Sequence, residues 1–143
     1  MTIPGPMADR KSILVWSIFL PAICAAALAV LQEIREKELA TNAILMEVRI
    51  RETIRAWKLP VITEVRGHGL LLGVALDPAL IPTPEGKTPA LVVVTQLMER
   101  GLLLAPAGPN TIRLLPPLNV TAAEIDEALG ILKLTLEGLG TRD

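Results

Sequence analysis

Apolar residues along the chain either follow helical spacing or form short runs bounded by glycine and proline. Helical spacing or helix end signals predict four helices, over residues 21–38, 42–58, 89–100 and 122–136. The short apolar runs predict strands, over residues 61–65, 70–76, 102–104 and 111–115. The resulting order of elements predicts an α+β fold in which helices pack on a small, mainly antiparallel sheet.

Several of the predicted helix ends coincide with residues that are known to begin or terminate helices. Thr121 and Glu124 form the sequence pattern of a capping box, in which each residue satisfies a free N–H group at the start of a helix. Thr88 precedes Pro89 at the start of another helix, and Gly101 is placed to terminate it. Five prolines and glycines crowd residues 77–89, which predicts an exposed loop without regular structure.

The predicted buried faces of two helices follow from their apolar positions. In the second helix the predicted stripe consists of Ile44, Leu45, Val48 and Ile54, opposite Arg49, Glu52 and Arg55. In the last helix it consists of Ile125, Ala128, Leu129, Leu132 and Leu136. Between the first two strands, Gly67, His68 and Gly69 predict a turn that uses the freedom of glycine at positive φ.

Composition limits the function classes. The 143 residues suit one domain. Lys and Arg number 14 against 15 Asp and Glu, and aromatic residues make up 2%. Neither a basic field nor a platform for base stacking is therefore expected, so nucleic-acid binding is disfavoured. The single Cys24 lies in an alanine-rich run and predicts a small buried thiol in a reducing, cytoplasmic setting.

The uncharged run 12–32 allows two interpretations. It follows Arg10 and Lys11 and has the length of a signal peptide or a membrane span. Its alanines would equally let a helix of a soluble protein pack closely against a neighbour, with the charged end at residues 32–38 facing solvent. We expect the second arrangement.

Few residues are candidates for catalysis, metal binding or anion binding. No metal-ligand spacing is present, and His68, the single histidine, has no nucleophile or carboxylate at motif spacing, so it is expected to be a turn residue. Arg66 is expected to support local structure. Arg113 differs because it interrupts an apolar strand that ends at Pro116 and Pro117. A guanidinium there is expected to hold an anion, with pairing to an internal carboxylate or capping of the sheet edge as the alternatives.

Three strings resemble class III pyridoxal-phosphate (PLP) aminotransferases, especially the acetylornithine and succinylornithine enzymes. They are PAICAAALAVLQEIREKE from Pro21, VRGHGLLLGVAL from Val65, and the stretch 101–121 with its IRLLPPL string. The resemblance runs from about Pro21 to Leu136 and implies the C-terminal small domain of fold type I PLP enzymes. Residues 1–20 match nothing in that family and are expected to be an unmatched leader, followed by the domain 21–143.

The resemblance implies that Arg113 grips a substrate carboxylate and that PLP is the cofactor of the complete enzyme. The family's Schiff-base lysine has no counterpart, since none of Lys11, Lys37, Lys58, Lys87 and Lys133 has its sequence context. We therefore expect an aminotransferase fragment without catalytic residues, inactive alone and not itself a PLP protein. In the complete enzyme it would help transfer an amino group from N-acetylornithine or a similar acylated diamine to 2-oxoglutarate in arginine biosynthesis.

Two alternatives remain. One is a small-molecule or partner-binding module that retains only the carboxylate grip of Arg113. The other is an interaction module tethered to a membrane through residues 12–32. The high hydrophobic content of 51% predicts surface covered by a second copy of the chain or by a missing large domain.

Overall fold

A computed structural model describes residues 10–140, with side chains over residues 19–139. The chain divides after Leu39 into two compact units. The first contains helix α1 (Arg10–Glu36). The second contains helices α2 (Leu39–Trp57), α3 (Pro89–Glu99) and α4 (Ala122–Gly140), together with one sheet. The predicted α+β fold is confirmed. Most of the predicted leader 1–20 lies outside the residues with described side chains.

Helix α1 includes Pro21 and begins well before the predicted start of the first helix. Its described side chains are exposed from Phe19 to Glu33. Cys24 is therefore exposed, and the prediction of a buried thiol is wrong. Small side chains permit close packing, but burial also needs a facing surface, which the sequence of one helix does not supply. Among the described residues, no helix has the length and apolar character needed to cross a membrane.

Helix α2 buries a different face from the predicted one. Ala43, Ile50 and Ile54 are buried, while Ile44, Leu45 and Val48 are 48–60% exposed. Only Ile54 of the predicted apolar stripe is correct. The helix has apolar residues on two sides, so spacing alone does not choose which side meets the sheet. The outward apolar side chains of α2 remain as exposed surface of the second unit.

Strands β1 (Ile62–His68) and β2 (Leu71–Leu76) form the predicted antiparallel hairpin. Near the turn, Gly67, which still lies in β1, and Gly69, the first turn residue, have φ of 124° and 54°, a region that glycine adopts freely. Strand β2 alternates between buried and more accessible residues along its length. One face of the sheet therefore belongs to the core, and the other is open.

Strands β3 (Ala105–Pro106) and β4 (Thr111–Leu114) complete an antiparallel sheet in the order β1-β2-β4-β3. The predicted strand at residues 102–104 is wrong, because pairing begins only at Ala105. Strand β4 ends just before Leu115, Pro116 and Pro117. Continuing this register would place Leu103 and Leu102 opposite Leu115 and Pro116, which lie beyond the end of β4, and proline has no N–H group to donate.

The connections mostly follow the predicted signals. A short 3₁₀ helix, Pro78–Leu80, interrupts the predicted irregular loop, because the Asp77 side chain accepts a hydrogen bond from the Ala79 N–H and caps it. Helix α3 starts at the predicted Thr88 cap. At its other end Arg100 is the C-cap and Gly101 follows with φ of 85°. The capping box of α4 is formed by Thr121 and Glu124.

The core of the second unit lies between one face of the sheet and the three helices. Strand residues and helix residues contribute to it together, and the last helix presents nearly the predicted stripe. Its largest fully buried apolar side chains are Ile50, Leu72, Val74, Val93, Leu97, Ile112, Leu132 and Leu136. The opposite face of the sheet is left to carry polar and charged side chains.

Candidate functional site

The open face of the sheet is defined by the side chains that alternate with the core residues of each strand. Register places Arg66 of β1 opposite Gly73 of β2, Gly73 opposite Arg113 of β4, and Arg113 opposite Ala105 of β3. A second row beside it contains Glu64, Ala75 and Thr111. Residues directly opposite in neighbouring strands share one face, so Arg66 and Arg113 lie on the same side of the sheet.

Arg113 lies in an interior strand and its side chain is exposed. Strand β4 has a neighbour on each side, so Arg113 does not cap a sheet edge. Within residues 19–139 it forms no ion pair, and the alternative pairing with an internal carboxylate is not found. Its guanidinium is therefore available to an external anion.

A cleft of about 550 Å³ is lined by Arg113 and by residues of α4, β4 and the segment before β3. Arg113 is its one charged residue among the described part of the chain, and the other lining residues are apolar. They include Leu102, Leu104, Leu114, Ile125 and Leu129. A single cation beside an apolar cleft suits a small molecule that has a carboxylate and an apolar portion.

Arg66 extends from β1 toward β4. Its Nη2 donates a hydrogen bond to Oγ1 of Thr111 at 3.3 Å, and its Nη1 lies 3.8 Å from the Glu64 carboxylate. Thr111 is only 7% exposed although it lies on the open face. The Arg66 side chain covers it, in agreement with the predicted structural role of Arg66.

An ion pair on α2, which the sequence pattern did not single out, holds the β1–β2 turn in place. Arg51 donates to the carbonyl oxygens of Val65 and Gly67, each at 2.6 Å, and to Glu47 at 2.8 Å. Glu47 also accepts a hydrogen bond from the Gly69 N–H at 2.5 Å. The bonds from Arg51 and then from Gly69 lower the pKa of Glu47. The spacing of Glu47 and Arg51, four residues apart on a helix, was the available signal.

His68 is exposed, as expected, but it is the last residue of β1 and pairs with Leu71, so the turn begins one residue later, at Gly69. The described residues contain no group of three or more His, Cys, Asp or Glu side chains arranged to hold a metal ion.

The described residues do not fit PLP. That cofactor is held through a Schiff base with a lysine and a charged partner at the pyridinium nitrogen. Lys37, Lys58 and Lys87 are exposed, and Lys133 lies 3.7 Å from Glu137 on the surface of α4. The side chain of Lys11 is outside the described residues. None of the described lysines lines the cleft beside Arg113.

Comparison with known proteins assigns the chain to a family. The sequence model of the class-III aminotransferase family matches residues 20–136 of this chain. Acetylornithine aminotransferase of Synechocystis is 39% identical over 122 residues, which cover 83% of this chain and 27% of that protein. The Listeria innocua acetylornithine aminotransferase is 45% identical over 76 residues, or 53% of this chain and 17% of that protein.

Solved structures agree. Acetylornithine aminotransferase from Elizabethkingia anophelis has a TM-score of 0.71 at 32% identity, over 80% of this chain and 29% of that one. Ornithine aminotransferase from Toxoplasma gondii has a TM-score of 0.70 at 28% identity. That match covers 81% of this chain and 26% of the Toxoplasma chain. The chain thus spans about a quarter of the length of these relatives. With the predicted fold of a type I PLP enzyme confirmed, we conclude that this chain belongs to the class-III aminotransferase family.

Proposed function

We propose that this chain is the carboxylate-binding part of an acetylornithine-type aminotransferase. The complete enzyme would transfer an amino group from N-acetylornithine, or a similar acylated diamine, to 2-oxoglutarate in arginine biosynthesis, in the cytoplasm. The names of the relatives support the reaction class. The observation that carries the proposal is Arg113, an exposed arginine beside an apolar cleft with no ion-pair partner among the described residues.

Arg113 would hold the α-carboxylate of the amino-acid substrate through paired hydrogen bonds. The planar guanidinium matches both carboxylate oxygens, which fixes the orientation of the substrate as well as its position. Pyridoxal phosphate would supply the electron sink of the reaction when bound in the complete enzyme. Because the described residues do not fit that cofactor, the role proposed for this chain is substrate binding, and we expect it to be inactive alone.

A partner surface is part of the proposal. Ile44, Leu45 and Val48 of α2 are exposed, and a contiguous apolar surface commonly marks a contact with another protein surface. A large domain or a second copy of the chain would cover it in the complete enzyme. We expect the isolated chain to self-associate, which sedimentation measurements over a range of protein concentrations would detect.

The experiment places Arg113 in a complete enzyme. Residues 20–136 replace the matching segment of the Synechocystis relative, and Arg113→Lys is compared with the parent chimera. Lysine keeps the charge but cannot present paired planar donors. We expect kcat/KM to fall roughly ten- to a hundredfold, or about 1.5 to 3 kcal/mol, with the cofactor absorbance unchanged.

Arg55→Lys is the matched control, because Arg55 is an exposed arginine on α2 that does not line the cleft. Its kcat/KM should equal that of the parent. An Arg113→Lys chimera that unfolds or loses the cofactor, while its folded fraction keeps full substrate affinity, would show that Arg113 is structural.

A second candidate is a stand-alone module that binds a small carboxylate. The apolar cleft with one arginine favours it, since such a site needs no catalytic group. Submillimolar binding of an apolar monocarboxylate by the isolated chain would support this candidate over the first.

A further inference from the structure

Strand β1 forms one edge of the sheet, with β2 as its neighbour among the described strands. An edge strand carries backbone N–H and C=O groups that point outward and can pair with a strand of another chain. In an antiparallel pair every second residue turns these groups away from its neighbour. In β1 these residues include Val65 and Gly67, because their carbonyl oxygens accept hydrogen bonds from Arg51 of α2. The outer edge of β1 therefore runs along these two residues.

Arg51 occupies this edge. Its Nη1 donates to the carbonyl oxygen of Val65 and its Nη2 to that of Gly67, each at 2.6 Å. A strand added to β1 would donate its N–H groups to the same two oxygen atoms. Glu47 accepts a hydrogen bond from Nε of Arg51 at 2.8 Å, and the two side chains are only 18% and 26% exposed, so the guanidinium is held in this position. An added strand must therefore displace Arg51 before it can pair.

The sequence of β1 is complementary to itself in the antiparallel direction. If Val65 pairs with Val65 of a second copy, the outward-facing residues of the two strands oppose one another, as the ladder of hydrogen bonds requires. This register places Glu64 opposite Arg66 of the second copy, and Arg66 opposite Glu64 of that copy. Opposite charges directly across neighbouring strands stabilise antiparallel pairing. One register therefore provides two ion pairs by symmetry.

Glu64 and Arg66 are accessible to a second copy. They lie two residues apart on β1, so their side chains share one face of the strand. Both side chains are more than half exposed, and Nη1 of Arg66 lies 3.8 Å from the Glu64 carboxylate, which is a loose contact. A cleft of about 270 Å³ beside this edge is lined by Thr63, Glu64 and Val65. The edge of β1 thus has open space next to it.

The possible pairing is short. The register of β1 is irregular between Ile62 and Glu64, so regular pairing with a second copy would end near Thr63. Stable protein interfaces usually bury at least about 1,200 Å² in total, which a few strand residues do not supply. Pairing would also break the two hydrogen bonds from Arg51. The wild-type chain therefore has little tendency to pair at this edge, and loss of the Arg51 donors should increase it.

We propose that the edge of β1 is a self-pairing surface for a second copy of this chain, and that Arg51 keeps it closed. Arg51 satisfies the carbonyl groups of Val65 and Gly67 in place of a neighbouring strand, and Glu47 holds it there. When the donors of Arg51 are removed, two copies join β1 to β1 in the antiparallel direction and form one continuous sheet. This role is independent of the function proposed for Arg113.

The test compares the full wild-type chain with Arg51→Met, which keeps an apolar stem and removes the donors. Amide hydrogen exchange of Val65 is measured by NMR at low and high protein concentration, because its outward N–H group gains an acceptor only when a second strand pairs. We expect this exchange to slow with concentration in Arg51→Met and not in the wild type. Sedimentation should show a dimer about tenfold tighter in Arg51→Met, since pairing no longer breaks two hydrogen bonds.

Two variants of the same helix complete the comparison. Arg55→Met is the matched control and should behave as the wild type, because Arg55 is exposed and lines the same cleft but donates no hydrogen bond to β1 among the described residues. Arg51→Lys keeps the charge but lacks the planar fork that spans two carbonyl groups. It should show the same slowing of Val65 exchange to a smaller extent. Amide spectra report whether each variant folds, and Arg51→Lys keeps the test valid if Arg51→Met does not.

Charge reversal tests the register. In the Arg51→Met chain, Glu64→Lys would place a lysine opposite Arg66 of the second copy, and Arg66→Glu would place two carboxylates opposite each other. Each change alone should weaken the dimer about tenfold, because like charges directly across strands repel. The two changes together should restore the dimer.

Several outcomes would overturn the proposal. Exchange of the Val65 amide that does not depend on concentration in either Arg51 variant would show that the edge of β1 does not self-pair. Equal slowing in the wild type and in Arg51→Met would show that Arg51 does not close the edge. A dimer that is insensitive to both charge reversals would exclude the symmetric register. Self-association without protection of Val65 would assign it to another surface, such as the exposed apolar side chains of α2. None of these results would affect the role proposed for Arg113.

Discussion

Arg49 of α2 holds Asp126 of α4 through two parallel hydrogen bonds. Nε of Arg49 donates to Oδ1 of Asp126 at 2.7 Å, and Nη2 donates to Oδ2 at 2.5 Å. This bidentate geometry is the strongest arrangement available to a guanidinium and a carboxylate. The pair joins two helices that are far apart in the sequence. It also lowers the pKa of Asp126, chiefly through the hydrogen bond from Arg49.

The lowered pKa of Asp126 predicts how stability depends on pH. A carboxylate with a lower pKa in the folded state binds protons more readily when the chain is unfolded. Its contribution is complete above the unfolded pKa, about 3.9 for aspartate, and is lost as the pH falls toward the folded pKa. The free energy of unfolding of the wild type, measured by urea titration, should therefore fall on acidification below about pH 4.

Asp126→Asn should reduce this dependence, because the amide does not titrate. Glu52→Gln is the control, since Glu52 is an exposed carboxylate on α2 with no ion pair among the described residues. A variant Asp126→Asn with the same acid dependence as the wild type would contradict the prediction.

The capping box of α4 predicts that alanine substitution lowers stability at one threonine and not at another. The Thr121 hydroxyl accepts a hydrogen bond from the Glu124 N–H at 3.3 Å, and the Glu124 carboxylate accepts one from the Thr121 N–H at 2.8 Å. Thr121→Ala should lower the free energy of unfolding by about 1 kcal/mol. Thr95→Ala, inside α3, should be neutral or slightly stabilising, because alanine has the higher helix propensity. Equal effects in thermal or urea unfolding would show that the cap does not contribute.

The β1–β2 turn predicts a strong requirement for glycine at one position. Gly67 has φ of 124°, and a Cβ there would lie 2.1 Å from the carbonyl oxygen of Leu71. Gly67→Ala should therefore destabilise the chain by about 3 kcal/mol or more. Gly86→Ala is the matched control, since Gly86 also has positive φ but nothing lies within 4 Å of its added Cβ. It should cost only about 1 kcal/mol, the effect of backbone strain alone. Similar losses of stability in Gly67→Ala and Gly86→Ala would show that the clash with Leu71 does not contribute.

The positions of the lysines predict the result of a cofactor test. The isolated chain is incubated with PLP and an amino donor, then reduced with borohydride, and labelled peptides are identified by mass spectrometry. We expect no stoichiometric label on a single lysine, because Lys37, Lys58, Lys87 and Lys133 lie on the surface. Labelling of one lysine together with measurable transamination would contradict both the prediction and the proposed role in substrate binding alone.

Local signals in the sequence determined most of the secondary structure. The Thr88 and Thr121 caps, the turn glycines Gly67 and Gly69, and the apolar stripe of α4 were predicted because each acts over a few residues. The motif around Arg113 indicated the family for a similar reason, since its residues are contiguous. These features depend on backbone geometry and spacing that the sequence expresses directly.

Contacts between distant segments were decided by the tertiary structure. The buried face of α2 was predicted incorrectly because both sides are apolar, and only packing against the sheet selects Ile50 over Leu45. The exposure of Cys24 likewise depends on what faces its helix. The row of Arg66, Gly73 and Arg113 exists only through strand register. Pairing brings together residues that are 40 positions apart in the chain, and no local pattern in the sequence encodes that alignment.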